Sequence, residues 1–393
     1  MSHMAGAEVG SPPAAPDDAG APGSWGGRRG PVPAVVGVPL ARLYGAVVAH
    51  RNRRFDRGIG VERLPVPVVS VGNVSVGGTG KTPMVIHLVA RLREHGLRPC
   101  VAMRGYVRSF RMVAPAQDQA ERSDEARLYR EALPGVPVVA QADRGAGVRA
   151  LLARGATIDC VVLDDGFQHR RLARDLDVVL TDASRPPFDD RLLPAGWLRE
   201  PVESLRRAGA VVVTHAEMVS SAEAGAMARR AAALAPGAVV AVARHAWVGV
   251  RIGEADAQPL SWLRGRRVLA VCAIGNPGAF LRGAIEAGAE VADRIVLPDH
   301  DPYRHRTART IVRRARACGA AAILTTDKDW AKLRECGASA RGGEWPCPVA
   351  RPRLEIRFDS GERALEQAVL RAARGAGRGF EPGTTGIGST GAG

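Results

Sequence analysis

The segment Val66-Pro-Val-Val-Ser-Val-Gly-Asn-Val-Ser-Val-Gly-Gly-Thr-Gly-Lys-Thr82 restricts the fold more than any other part of the chain. Val66 to Val71 is a short β-branched run of the kind that forms a buried strand. Gly72, Gly77, Gly78 and Gly80 follow, then Lys81 and Thr82. From Pro83 the apolar residues Val85, Leu88, Val89 and Leu92 recur at helical spacing. Strand, glycine loop, Lys-Thr and helix are the parts of a P-loop, in which backbone N–H groups and the positive end of a helix surround phosphate oxygens. Ser75, Val76, Gly77, Gly78, Thr79, Gly80, Lys81 and Thr82 are therefore the candidate nucleotide-binding residues, with the Thr82 hydroxyl available to Mg²⁺. Ser75 stands where the generic pattern G-x-x-x-x-G-K-[ST] has glycine. A glycine-rich turn without a ligand has a similar composition, but it does not require this strand before it and this helix after it.

Only three of the 55 basic residues are lysines: Lys81, Lys328 and Lys332. A chain so biased towards arginine keeps lysine at the loop position where a compact ammonium fits between phosphates and a planar guanidinium does not. The formal net charge of +15 suits an anionic membrane surface or a phosphorylated substrate. No aromatic-basic interleaving or RNA-binding signature accompanies it, so nucleic acid is not an expected partner. Six scattered cysteines, without C-x-x-C pairs or nearby histidines, read as reduced thiols of a cytosolic protein rather than as disulfides or a zinc site.

A length of 393 residues allows two domains with tails. Residues 1–33, rich in Gly, Ala and Pro, are expected to be disordered. In 34–58, Leu40, Leu43, Tyr44, Val47 and Val48 recur at helical spacing, and Arg51, Arg53, Arg54 and Arg57 follow. Arg42 interrupts the apolar run, which is too short to span a bilayer. An apolar face with a basic end suits an amphipathic helix lying in the interface of an anionic membrane. A helix packed on its own domain shows the same spacing. From 59 to 244 apolar strands alternate with helical patterns, predicting an α/β fold with a mostly parallel sheet flanked by helices. A second strand series predicts a smaller α/β domain over 266–360. Residues 245–265 are the expected connection, and 361–393 a C-terminal segment with a Gly-rich disordered tail.

Ile158-Asp-Cys-Val-Val-Leu-Asp-Asp-Gly-Phe-Gln-His169 is an apolar strand ending in carboxylates. Beside a P-loop, Asp164 and Asp165 become candidate holders of Mg²⁺, directly or through water. Asp124 sits at a predicted helix start behind a different strand, which leaves it for the acceptor as a general base. His300, between Asp299 and Asp301, is placed to orient Asp124 or relay its proton. Arg104-Gly-Tyr106 follows the strand 99–103, and Leu192-Leu-Pro-Ala-Gly-Trp-Leu-Arg-Glu-Pro201 is a long loop-like run.

In this order, the motifs resemble those of the tetraacyldisaccharide 4′-kinase family of lipid A biosynthesis. The most specific pieces are Ser70 to Pro83, Arg104-Gly-Tyr106 and Leu163 to Arg170. Leu192 to Gly196, Leu198 to Pro201, Ile274 to Pro277 and Asp299-His300 add to them, and the likeness runs from the Leu40 helix to about Leu333. The family tolerates Ser or Thr at the Ser75 position. Val107 and Ser123 stand where glycine is usual. The resemblance implies a two-domain P-loop kinase that uses MgATP to phosphorylate the 4′-hydroxyl of a tetraacylated glucosamine disaccharide 1-phosphate. It would work as a peripheral protein on the cytoplasmic face of the inner membrane of a Gram-negative bacterium, with no obligate protein partner. It also implies Asp124 and His300 as a catalytic pair with Lys81, and an acceptor site drawn from Asn73, Arg104, Tyr106, Glu125, Gln168, His169, Arg199 and Glu200. The rival class is a membrane-associated regulatory NTPase acting on a protein partner, since Gly77 to Thr82 is similar to the Lys-Gly-Gly-x-Gly-Lys variant loop. Val76 replaces the first lysine of that variant, and no Asn-Lys-x-Asp motif is present. A scaffold with an inactive nucleotide fold would leave the intact Lys81, Thr82 and aspartate pair without a reason.

Overall fold

The computed structural model describes residues 30–105, 124–253, 257–298, 301–336 and 345–376. Helix α1 (Ala34–Asp56) precedes β1 (Val68–Asn73), whose valine-rich run is buried throughout. The glycine loop follows, and α2 (Lys81–Glu94) buries Met84, Val85, Leu88, Val89 and Leu92 on one face. Pro83 lies in the first turn of α2, where its missing N–H costs no helical hydrogen bond. The first half continues through β2 (Pro99–Met103), α3 (Asp124–Ala132), β3 (Val138–Ala140), α4 (Arg144–Ala153), β4 (Cys160–Asp164), β5 (Leu176–Asp182), β6 (Ala210–Thr214) and α5 (Ser221–Leu234). Then come β7 (Val239–Ile252), β8 (Ala257–Gln258), β9 (Arg267–Cys272), α6 (Pro277–Glu286), β10 (Glu290–Val296), α7 (His305–Ala317), β11 (Ala322–Leu324), α8 (Asp327–Cys336), β12 (Val349–Ser360) and α9 (Glu362–Ala373).

These strands form one sheet in the order β10-β9-β11-β12-β7-β6-β5-β1-β4-β2-β3, with β8 on β7. β1 to β6 and the start of β7 run parallel, as do β9 to β12 among themselves. The two sets meet where β7 and β12 pair antiparallel, from Val242 opposite Ser360 to Ile252 opposite Ala350. Only Val239–Val242 of β7 lie beside β6, so the rest of β7 overshoots the first set. Because β12 runs back along that overshoot, the carboxyl ends of both parallel sets face one cleft. Residues 245–252, read from the sequence as the start of a connection, therefore continue β7. All of them are partly buried except the buried Gly249 and Val250, and pairing with a strand about a hundred residues later holds them extended.

The C-terminal helix α9 returns to the first half. Leu365, Val369, Ala372 and Ala373 share a core with Val69, Val71, Met84, Leu88 and Val178. Burial of Leu365 and Val369 contributes about 1.5–3 kcal/mol each. The half-exposed Arg91–Glu366 pair at 2.7 Å is worth at most about 1 kcal/mol. Residues 1–29 and 377–393, expected as tails, lie outside the described residues.

Helix α1 has two different faces. Gly37, Ala41 and Val48 are buried against the protein, whereas Val35, Val36, Leu40, Leu43 and Val47 are exposed. Tyr44, grouped with the apolar residues by spacing, turns inward and donates its hydroxyl to the Arg199 carbonyl at 2.8 Å. No described helix is long and apolar enough to cross a membrane.

Candidate active site at the phosphate loop

Gly80 caps α2 at φ +80°, a left-handed conformation that glycine adopts without steric cost. This turn makes Lys81 the first helical residue and directs its Nζ back over the end of β1. There Nζ lies 3.3 Å from Asn73 Oδ1 and 3.4 Å from Asp165 Oδ1. Asn73 also braces the loop by donating to the Ser75 carbonyl at 2.7 Å, and its own carbonyl accepts from Gln168 Nε2 at 2.9 Å.

Asp164 ends β4, which neighbours β1 in parallel register, so both aspartates arrive beside the loop. Burial tends to raise the pKa of Asp165, but the charges of Lys81 and Arg199 outweigh it and hold this carboxyl below the usual range. Arg199 Nη1 donates to both Asp165 oxygens, at 2.9 and 3.0 Å. Asp164 is deeply buried, which pushes its pKa up, and its Oδ1 has no hydrogen-bond partner. A buried carboxylate oxygen without a donor is costly unless a further group completes it. Asp164 and Asp165, with Thr82 at the start of α2, fit a divalent cation of the Mg²⁺ class by their all-oxygen donor set.

The 192–201 segment lies along the loop. Val76 N donates to the Trp197 carbonyl at 2.8 Å and Arg199 N to the Val74 carbonyl at 2.7 Å. Glu200 is fully buried, accepting from Asn52 of α1 and from Arg207, each at 2.9 Å. It therefore ties α1 to the backbone that carries Arg199. On the opposite side of the loop, a Cβ on Gly275 would lie 3.0 Å from Gly78 Cα, so the turn after β9 touches the phosphate loop directly. Asn276 donates to Ser184 Oγ at 2.9 Å, and Ser184 Oγ donates to Asp182 Oδ1 at 2.6 Å.

Asn73, Lys81, Asp165, Gln168 and Arg199 are thus brought together. Arg104 follows β2 and is exposed. His169 is partly buried; burial and the charges of Arg144 and Arg174 push its pKa down to about 4, so it is neutral near pH 7. Tyr106 and His300 lie outside the described residues, as do the side chains of Asp124 and Glu125, the first two residues of α3. Asp182, Ser184, Thr214 and His215 were missed by sequence reasoning. Their signal was position at the carboxyl ends of β5 and β6, the ligand edge of a parallel sheet. Thr214 Oγ1 donates to the Thr79 carbonyl at 2.9 Å, and His215 Nε2 lies 3.1 Å from the Gly78 carbonyl.

Residues 34–373 match the family model described as Tetraacyldisaccharide-1-P 4'-kinase. The Tetraacyldisaccharide 4'-kinase of Anaeromyxobacter sp. (strain K) is 41% identical over 361 residues, covering 88% of this chain and 95% of the relative. That of Geobacter sulfurreducens is 39% identical over 320 residues, covering 76% and 84%. The crystal structure of LpxK from Aquifex aeolicus in complex with ATP superposes with a TM-score of 0.63 at 30% identity, covering 85% of this chain and 98% of that one. With a phosphate loop, a carboxylate-ended strand beside it and likeness over nearly the whole described length, the chain belongs to the tetraacyldisaccharide-1-P 4'-kinase family.

Proposed function

We propose that this protein transfers the γ-phosphoryl group of ATP to the 4′-hydroxyl of a tetraacyldisaccharide 1-phosphate in lipid A biosynthesis, on the cytoplasmic face of the inner membrane. The observation that carries this reading is the Lys81 ammonium, held between Asn73 and Asp165 at the start of α2, in a chain that matches the family from residue 34 to 373.

In a loose phosphoryl-transfer transition state the protein contributes position and charge. The loop N–H groups and Lys81 bind the β- and γ-phosphates, and Arg199 adds a second cation next to Asp165. Mg²⁺, held by Thr82, Asp164 and Asp165, would supply further neutralisation of the phosphate oxygens. Asp124 acts as general base on the sugar hydroxyl, oriented by His300. α8 joins both elements involved: Arg334 pairs with Glu131 of α3 at 3.0 Å, and Lys332 Nζ donates to the Asp301 carbonyl at 3.0 Å. Arg104, Tyr106, Glu125 and His169 belong to the acceptor side. Asn73 and Gln168 shape the loop, and Glu200 acts through Arg199. The exposed Val36, Leu40, Leu43 and Val47 form the surface that rests on anionic lipid.

The test is incubation with labelled ATP and the lipid disaccharide. Label appears in lipid if the reading holds, and only in free phosphate if the chain is a regulatory NTPase. Lys81→Arg should lose roughly 10²–10³-fold in kcat, the range for removing a fitted electrostatic contact; near-normal turnover would refute the argument from the three lysines. Asp124→Ala should lower kcat strongly with ATP binding retained, and the Asp124→Ala/His300→Ala double variant should fall short of the product of the single losses. Multiplicative losses would end the pairing of these two residues.

A further inference from the structure

Three ligand-type side chains meet against the phosphate loop and take no part in the chemistry above. His215 follows β6, Glu217 lies in the 3₁₀ turn Ala216–Met218, and His245 lies in the overshooting part of β7. One donor atom from each lies within 4.8 Å of the others. Glu217 Oε1 is 3.0 Å from His215 Nδ1 and 3.6 Å from His245 Nδ1. These distances bracket the spacing of about 3.3 Å between neighbouring donors around a tetrahedral ion with bonds of about 2.0–2.1 Å. The side chains are only 9%, 14% and 6% exposed for His215, Glu217 and His245, so the cluster is shielded from bulk water.

Two independent features distinguish this cluster from an internal ion pair. The His245 side chain is only 6% exposed, and its Nδ1, at 3.6 Å from Glu217 Oε1, is too far for a normal hydrogen bond, a geometry that an ion between the two groups would complete. His215 is satisfied on its far side, because Nε2 lies 3.1 Å from the Gly78 carbonyl. A ring that offers Nδ1 to an ion and donates Nε2–H to a backbone carbonyl has the outer partner usual for a metal-bound histidine.

We infer that His215, Glu217 and His245 form a site for one divalent transition-metal ion of the zinc class, with both histidines ligating through Nδ1. Two imidazoles and one carboxylate suit Zn²⁺ and its analogue Co²⁺, whereas Mg²⁺ prefers oxygen donors such as Asp164 and Asp165. Three protein ligands leave a fourth position for water. Since His215 also holds the Gly78 carbonyl, and a Cβ on Gly80 would lie 2.6 Å from His245 Cε1, the ion braces the phosphate loop from behind. Ion and nucleotide affinities are then coupled, and linkage requires the same factor in both directions.

The test uses the full chain, stripped of metal by a chelator and kept in excess Mg²⁺ to occupy the carboxylate pair. Co²⁺ is titrated while following the visible absorption of a tetrahedral, nitrogen-ligated ion, and Zn²⁺ is titrated by calorimetry. One tetrahedral Co²⁺ per chain, displaced by one Zn²⁺, is the expected result. No tetrahedral Co²⁺ spectrum in the unaltered protein overturns the proposal without recourse to any variant. His245→Gln and Glu217→Gln should each weaken Zn²⁺ binding by at least about tenfold. Glu217→Gln keeps the shape of the side chain and an oxygen to accept from His245 N, so it remains informative if His245→Gln fails to fold. Zn²⁺ affinity unchanged in folded variants also overturns the site. The affinity for a non-hydrolysable ATP analogue, measured with and without Zn²⁺, tests the link to the loop; equal values overturn that link.

Discussion

Replacement of Gly80 by alanine separates two costs that the structure places at one atom. The backbone there has φ +80°, which costs an L-residue about 1–2 kcal/mol. The added Cβ would also fall 2.6 Å from His245 Cε1 and closer still to Nε2. His245 cannot swing aside freely: its ring lies 4.2 Å from that of His215, and its backbone N donates to Glu217 Oε2 at 3.0 Å. Overpacking of this kind costs about 1–3 kcal/mol, for a total of roughly 2–5 kcal/mol. The cost is divided between lost stability and a displaced loop, each about 1.4 kcal/mol lowering ATP affinity tenfold. Denaturant unfolding and ATP titration of the parent, Gly80→Ala, His245→Ala and the double variant form a cycle. The steric part disappears when the ring is removed, so the double variant should be about 1–3 kcal/mol better than additivity, while the dihedral part remains. Additive losses within about 0.5 kcal/mol would refute the assignment of the clash to His245.

Three other outcomes follow from the same geometry. Leu43→Glu with Val47→Glu alters only the outer face of α1, so vesicle binding and acceptor KM should suffer while ATP affinity stays unchanged; undiminished vesicle binding would place the membrane contact elsewhere. His169 has its pKa lowered to about 4 from an ordinary 6.5, so between those pH values the unfolded chain binds the extra proton. Its contribution to stability is therefore complete above about pH 6.5 and is lost as pH falls towards 4, and His169→Gln should flatten the pH dependence of the unfolding midpoint in that window; an unchanged slope counts against it. Truncation before Glu362 uncovers the apolar faces of β1 and α2, and should yield a protein that binds a hydrophobic dye and melts well below the parent; an unchanged melting temperature would show that α9 is dispensable.

The phosphate loop was legible because its strand, turn and helix are contiguous, and each carries its own local pattern. Asp164 and Asp165 were legible for the same reason, since an apolar strand that ends in acids belongs at a ligand edge. The overshoot of β7 was not legible. Arg244 and His245 interrupt its apolar run, and the pairing that holds it extended comes from residues 350–360. Nor could spacing separate Leu43, which faces outward, from Tyr44, which reaches the Arg199 carbonyl, because only the docked helix defines an inner side. His215, Glu217 and His245 come together through the order of β6 and β7 in the sheet, and nothing in their sequence neighbourhoods links them.

The return of α9 to the first half also bears on how the chain is made. β1 and α2 leave the ribosome about 270 residues before α9, whose Leu365 and Val369 complete their core. At about 5–20 residues per second that interval is on the order of 10–50 s. During it, the apolar surface around Val69, Met84 and Leu88 lacks its cover, although the phosphate loop has already been synthesised. The nascent chain is thus open to aggregation for that interval at the element that carries the phosphate loop. Slower translation between α2 and α9 would prolong that exposure, and a circular permutant with α9 ahead of β1 would shorten it.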